Sequence, residues 1–463
     1  MLTLVGAYCL ALLAVGVWAS RRAHAAEDFF VAGRSLPPSM IFVTFFAANL
    51  GAGSTVGAAE FGYATGLSAW WWVGSAGLGS IVLALLAGPP LYRLARARGI
   101  LTVGDFLELR YGRTTRLSVA AILLIGSPAI LAGQIIAAGL VLQGVAGLPK
   151  HWGTALAGSI ATAYFAMGGL RSAAHVNALQ VAVKLAAFLA AVPWMLRVSG
   201  GWPAVQAAAP GEAWLSVTGP GTVDLVLTLA PAFIVSPGLV QRLFGARDER
   251  AVRVGVGIQG AALLGFSVLP VLLGMLARVH FPELPDTGEA LIRLFTDVAP
   301  VWLGGLMLAA LLSAELSSAD AVLFMFSTSL SKDILAPLAR RRVGDAALVT
   351  LARASAVLAG LGAIALANWF QSVLSALSFF YSLLTLTLFV PLLAGLFSKR
   401  GGQPTALASI CCSLAAAAAS SWLGGSEGSL LQPVPAGIAA GAAVYAASVL
   451  LGGALRNKTG RSP

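Results

Sequence analysis

Long apolar runs, each closed by a few polar or basic residues, repeat along this chain from end to end. Each approaches the ~20 residues that an α-helix needs to cross a hydrocarbon core of roughly 30 Å. The runs place spans at roughly 2–20, 38–64, 67–92, 117–145, 150–168, 174–197, 223–244, 251–279, 298–330, 346–367, 370–397, 403–423 and 432–453. The pattern predicts an all-α polytopic membrane protein with about 13 transmembrane helices. A transmembrane β-barrel would show short alternating segments instead. Lys184 interrupts the sixth run. The longest polar connections, near 198–222 and 331–345, are too short for a soluble domain, so 1–463 reads as one transmembrane domain.

Two runs break the apolar pattern. In "AANLGAGSTVGAAEFG", residues 47–62, four glycines (Gly51, Gly53, Gly57 and Gly62) stand among Asn49, Ser54, Thr55 and Glu60. A lone glycine in a membrane helix is usually a close-packing site. Clustered with polar groups, glycines fit a discontinuous helix that turns carbonyls toward a small cation and polar groups toward a solute. The second run is "LMLAALLSAELSSADAVLFMFSTSLSKDIL", residues 306–335. At 100° per residue, Ala310, Ser313, Ala314, Ser317 and Asp320 share one face, with Asp320 about 20° from Ser313 and ~10 Å further along. Ser327, Ser329 and Ser331 fit back-bonds to their own helix. A carboxylate in a span is costly and usually lines a pathway or pairs with another group. Asp320 suits a cation exit path, whereas Glu315, about 200° around from Ser313, serves another contact.

Composition agrees: 58% of the 463 residues are hydrophobic and 10% charged, with a mean hydropathy of +0.87. The net charge of +11 falls in clusters between the runs, from Arg21 and Arg22 through Arg93–Arg116, Arg242–Arg253 and Arg340–Arg342 to Arg461. That is the mark of the positive-inside rule and not of nucleic-acid binding. It orients the chain with its N-terminus outside and its C-terminus cytoplasmic, in a cell (inner or plasma) membrane. The first segment lacks a basic n-region and is followed by "RRAH", which favours a retained helix over a signal peptide. Cys9, Cys411 and Cys412 imply no disulfide framework, and four scattered histidines have no metal-ligand spacing.

Several stretches together resemble the sodium/solute symporter family, which includes the bacterial proline, pantothenate and galactose symporters and the animal sodium/glucose transporters. They are "EDFFVAGRSLP" (27–37), "FFAANLGAGSTVGAAEFGY" (45–63), "LTVGDFLELRYG" (101–112), "LAGQIIAAGLVL" (131–142), "YFAMGGLRSAAHVNALQ" (164–180), "PGLVQRLFGARDERAV" (237–252), the Ser/Asp-rich ninth helix and "VPLLAGLFSKRGG" (390–402). They run in family order over almost the whole chain.

The resemblance implies a LeuT-type core of two inverted five-helix repeats. The first would span 38–222 and the second 223–400. An extra N-terminal helix and loop would occupy 1–37, with two peripheral helices and a tail in 401–463. It implies a sodium site formed by the carbonyls of Val43, Phe46 and Ala310 and the hydroxyl of Ser313. Relatives often carry a second hydroxyl where this chain has Ala314, and an aspartate where it has Asn177. The solute pocket would lie near Asn49, Ser54, Trp70, Gln134, Leu229, Phe233 and Phe379, with no arginine entering it. The expected activity is symport of a small organic solute with sodium, without any other cofactor or an evident protein partner. Proton coupling through Asp320 or Glu315 and a solute sensor on the same fold are the alternatives. An enzyme is not expected, because no nucleophile–base pair, metal set or phosphate loop appears. A channel would need a continuous pore.

Overall fold

The computed structural model describes residues 31–167, 170–219, 221–338, 344–370, 372–423 and 432–459, with Thr3 and Gly6 besides. The span expected at 2–20 lies outside the described residues. All of the regular elements among them are helical. Among the described residues, ten helical stretches are long and apolar enough to cross a membrane, which bears out the all-α polytopic class.

Seventeen helices organise the description. They are α1 Pro38–Asn49, α2 Val56–Thr65, α3 Trp70–Val82, α4 Gly88–Arg98, α5 Val103–Tyr111 and α6 Arg113–Ala146. Next come α7 Lys150–Met167, α8 Leu170–Val198, α9 Thr222–Val235, α10 Pro237–Phe244, α11 Glu249–Phe266 and α12 Val268–His280. The last five are α13 Val301–Thr328, α14 Asp345–Ala367, α15 Val373–Phe397, α16 Gln403–Trp422 and α17 Pro433–Thr459.

The run expected as one span at 38–64 is two helices. α1 starts on Pro38, where a missing N–H costs nothing, and ends as Leu50 leaves helical geometry at φ −93°, ψ 76°. Gly51 is extended at φ −127°, ψ −158°, a short 3₁₀ turn follows at Ala52–Ser54, and α2 begins after Thr55. The run expected at 223–244 is also interrupted. Ser236 sits at φ −53°, ψ 118° between α9 and α10. Its neighbour Pro237 has no N–H to donate and pushes the preceding residue away from helix.

α13 occupies the centre. Its most apolar window is 89% buried within the protein, against 39% for α16 and 28% for α17, so its serines and carboxylates are screened from lipid. It packs against α1, α6, α8 and α14, while α16 and α17 pack on each other and on α15 at the margin. Close crossings rely on glycine where backbones meet. A Cβ at Gly77 would stand 2.9 Å from the Gly260 carbonyl oxygen, and one at Gly260 2.8 Å from that of Gly77.

One end of the bundle is tied by ions. Thr102 caps α5 in a reciprocal box with Asp105. Arg116 at the start of α6 reaches Asp105 at 3.2 Å, Glu108 at 2.5 Å and Asp333 at 2.8 Å, and Lys332 bonds Asp105 as well. Burial alone would raise the Asp105 carboxyl, but Lys332 and Arg116 outweigh it and hold that carboxyl below the usual range.

Candidate functional site

At the interruption between α1 and α2, backbone groups that lose helical partners are met by side chains. The Ser54 hydroxyl accepts the Gly51 N–H at 3.0 Å and donates to Asn49 O at 2.7 Å. Gln134 Oε1 on α6 accepts the Ala52 N–H at 2.8 Å, and Trp72 Nε1 on α3 donates to Gly53 O at 2.8 Å. From α13, Ser317 and Ser318 donate to Ala47 O and Ala48 O, each at 3.1 Å. Lys184 on α8 donates to Leu50 O at 3.1 Å and to Ser317 Oγ at 2.6 Å. Four other helices therefore hold the broken segment. This is how irregular backbone survives at membrane depth.

Glu315, expected to serve another contact, accepts from Thr55 Oγ1 at 3.0 Å through Oε1. Its Oε2 is buried without a partner among the described residues.

A cavity of about 470 Å³, open solvent included, lies against the interruption. Asn49, Ser54, Gln134, Leu229 and Phe233, five of the seven residues expected near a pocket, line it together with Trp72, Ser318 and Tyr381. Asn49 Nδ2 is buried there with no hydrogen-bond partner among the described residues. Trp70 and Phe379 do not line this cavity. Trp70 Nε1 donates to Leu264 O at 3.2 Å, and Phe379 is 45% exposed against Phe370. Each lies two positions from a residue that does line it, about 200° around a helix.

A second cavity of about 440 Å³ shares Ala48, Asn49, Phe233, Val322 and Tyr381 with the first and continues to Arg242. No arginine lines the first cavity, and Arg242 lines the second. Its Nη1 donates to Gly238 O at 2.9 Å, and Asp320, buried on α13, is the acid that bears on it.

Ala310, Ser313 and Ala314 are fully buried on α13, and Phe46 is fully buried on α1, with Val43 partly so. Phe46 O accepts the Leu50 N–H at 2.9 Å, an ordinary helical bond. The α13 hydroxyls that meet the interruption belong to Ser317 and Ser318, one turn beyond Ser313. α1–α2 and α13 run in opposite senses, since Ala47 meets Ser317 while Thr55, further along, meets the earlier Glu315. A step of one turn back on both helices therefore moves Val43 and Ser313 apart. Asn177 is buried on α8.

Sequence reasoning passed over Lys184, Ser317, Ser318, Trp72 and Tyr381 as members of this site. The signal for Lys184 was present, because an ionisable residue inside an apolar run is by default a functional one.

The fold closely matches that of a Na⁺-coupled sialic acid symporter solved in a substrate-bound outward-open state, with a TM-score of 0.82, 21% identity and 97% of each chain covered. The hydantoin-bound nucleobase-cation symporter Mhp1 in a closed conformation matches at a TM-score of 0.62, 15% identity, over 93% of this chain and 94% of that one. The sodium/pantothenate symporter of Escherichia coli K12 is 26% identical over 348 residues, 71% of each chain. The sodium/glucose cotransporter of Vibrio parahaemolyticus is 23% identical over 458 residues, 88% of this chain and 82% of that one. The family model for the sodium:solute symporter family matches residues 29–412. This chain belongs to that family: it is a membrane transporter and not an enzyme.

Proposed function

We propose that the protein takes up a small organic solute into the cytoplasm by cation-coupled symport, with sodium as the coupling ion. One observation carries the reading. The α1–α2 helix is interrupted beside a cavity, and an unspent amide donor, Asn49 Nδ2, lies at the cavity wall. Family membership and the sodium symporters among its relatives support the choice of ion.

The solute lies in the first cavity. Asn49 and Gln134 offer polar contacts, and Trp72, Phe233 and Tyr381 offer aromatic faces. If the solute carries a carboxylate, Arg242 in the lining of the second cavity is a cationic partner for it along the path. Ion and solute each favour the other's binding, because coupling between two bound ligands is reciprocal. Rocking of one bundle against the other then opens the second cavity, lined by Arg242, toward the cytoplasm. Inward sodium movement is helped by the membrane potential at ~2.3 kcal/mol per charge per 100 mV.

In this reading the chain keeps its N-terminus outside, has about 13 spans in the cell membrane and is built from the inverted repeats 38–222 and 223–400. The interruption at Ser236, in the first helix of the second repeat, supports that symmetry. Proton-coupled symport is the second reading, favoured by Glu315 and Asp320, two carboxylates buried on α13.

A thermal-shift screen of the purified protein against amino acids, sugars, short carboxylates and vitamins, with and without sodium, tests the reading. A solute that stabilises only in the presence of sodium supports it. Stabilisation that is indifferent to sodium but grows as pH falls supports the second reading.

A further inference from the structure

α8 carries Lys184 into the middle of the protein, where the side chain is completely buried. A buried lysine in a membrane span is costly and is retained when its ammonium has partners. Here those partners are oxygens of the interruption. Nζ donates to Leu50 O at 3.1 Å and to Ser317 Oγ at 2.6 Å. The Ser317 hydroxyl in turn lies 3.1 Å from Ala47 O and 3.0 Å from Ala314 O. The ammonium thus meets the carbonyl that closes α1 and a hydroxyl of α13, and that hydroxyl draws in one carbonyl from each of the two helices.

Neutral carbonyl and hydroxyl oxygens in such a cluster are what a hard monovalent ion takes. An ammonium, with three donors and no acceptor, suits the same set. Glu315 completes the picture. It is the acidic group that bears on Lys184, and its Oε2 is buried without a partner among the described residues. The other helices packed on α8 bring no second acid close by. α1 has no ionisable residue, and α12 brings Arg278 and His280 in its last turn, with His280 engaged by Ser199 at 2.8 Å.

We propose that the Lys184 ammonium is a tethered cation, seated in the oxygen cluster of Ala47, Leu50, Ala314 and Ser317 where a free monovalent ion would otherwise bind. The chain then carries one free ion fewer than the cluster would accept, and α8 is pinned to both α1 and α13. The inference rests on reading the interruption as a cation seat. It does not require sodium to be the coupling ion.

The test counts bound ²²Na⁺ per molecule of purified full-length protein at saturating sodium, by scintillation proximity, in wild type and in Lys184→Met. The variant empties the seat and leaves the buried Glu315 without the cation on which it bears. It should bind one sodium more than wild type, an increase from one to two or from none to one. An unchanged count in a monodisperse variant overturns the proposal. Adding Glu315→Gln to Lys184→Met should abolish the extra ion. Should Lys184→Met not yield folded protein, Glu315→Gln alone decides. A wild-type count is expected, because the ammonium stays in place, and a count one lower would mean that Glu315 ligates a free sodium there instead. The two readings fail separately. No sodium in wild type with one in Lys184→Met removes sodium coupling but keeps the tethered cation, and one sodium in both does the reverse.

Discussion

Trp72 and Trp70 are neighbours on one helix with opposite duties. Trp72 lines the cavity and bonds Gly53 O, whereas Trp70 bonds Leu264 O on another helix. Both are apolar and aromatic, and their spacing in the sequence does not say which side faces inward. That rotation is set by packing, and the same holds for Tyr381 and Phe379. Trp72→Phe removes a buried hydrogen bond and should lower stability by about 1 kcal/mol while raising the solute KM, with Trp70→Phe leaving the KM unchanged. Transport kinetics on the solute found by the screen check both variants. Phe233→Ala removes an aromatic wall shared by both cavities and should raise that KM about tenfold, as losing roughly 1.4 kcal/mol of contact would. A wild-type KM would move the solute elsewhere. Ser317→Ala takes a partner from Ala47 O and from Lys184, so it should alter cation dependence and cost about 1–3 kcal/mol. Ser313→Ala should disturb cation dependence less, and a larger effect there would restore the earlier turn of α13 as the ion site.

At the scale of elements, the sequence disclosed one interruption and concealed another. Gly51, Gly53 and Ser54 announced the first because glycine and hydroxyl residues cluster there. The second, at Ser236–Pro237, was marked by a lone "SPG" inside an apolar run long enough to pass for a single span. A proline in a membrane helix often only kinks it, so the run alone did not separate a kink from a break. The ionic knot joining α5, α6 and the turn that follows α13, Ser329–Leu335, is a separate matter. Its members lie far apart in sequence, and only the fold brings Arg116 to Asp333. Arg116→Ala takes the guanidinium from the buried Asp333 carboxylate, and unfolding measurements should show a loss of about 3 kcal/mol. The Asp105 carboxyl is held below its ordinary range, so its contribution is complete above that range and fades as pH falls through the lowered value. Acidification should therefore depress the wild-type melting temperature more than that of Asp105→Asn. Equal slopes would remove Asp105 from the knot's energetics.

For the molecule as a whole, apolar runs and their family order were enough to foretell a helical transporter. Those signals are repeated many times along the chain, and no single residue decides them. The polar interior was harder to read. α13 looked like a membrane helix with too many serines, and its role as the buried hub follows only from being covered on every side. Lys184 looked like a flaw in a span for the same reason, since its partners Leu50 and Ser317 are more than 130 residues away in either direction. The two interruptions line adjoining cavities, the first at Gly51, Gly53 and Ser54 and the second at Ser236. The most direct test uses proteoliposomes, a solute identified by the screen and an imposed inward sodium gradient. Accumulation above the equilibrium level, lost when the gradient is collapsed with a sodium ionophore, is the predicted result. Uptake that merely equilibrates, or that ignores sodium altogether, would contradict sodium-coupled symport.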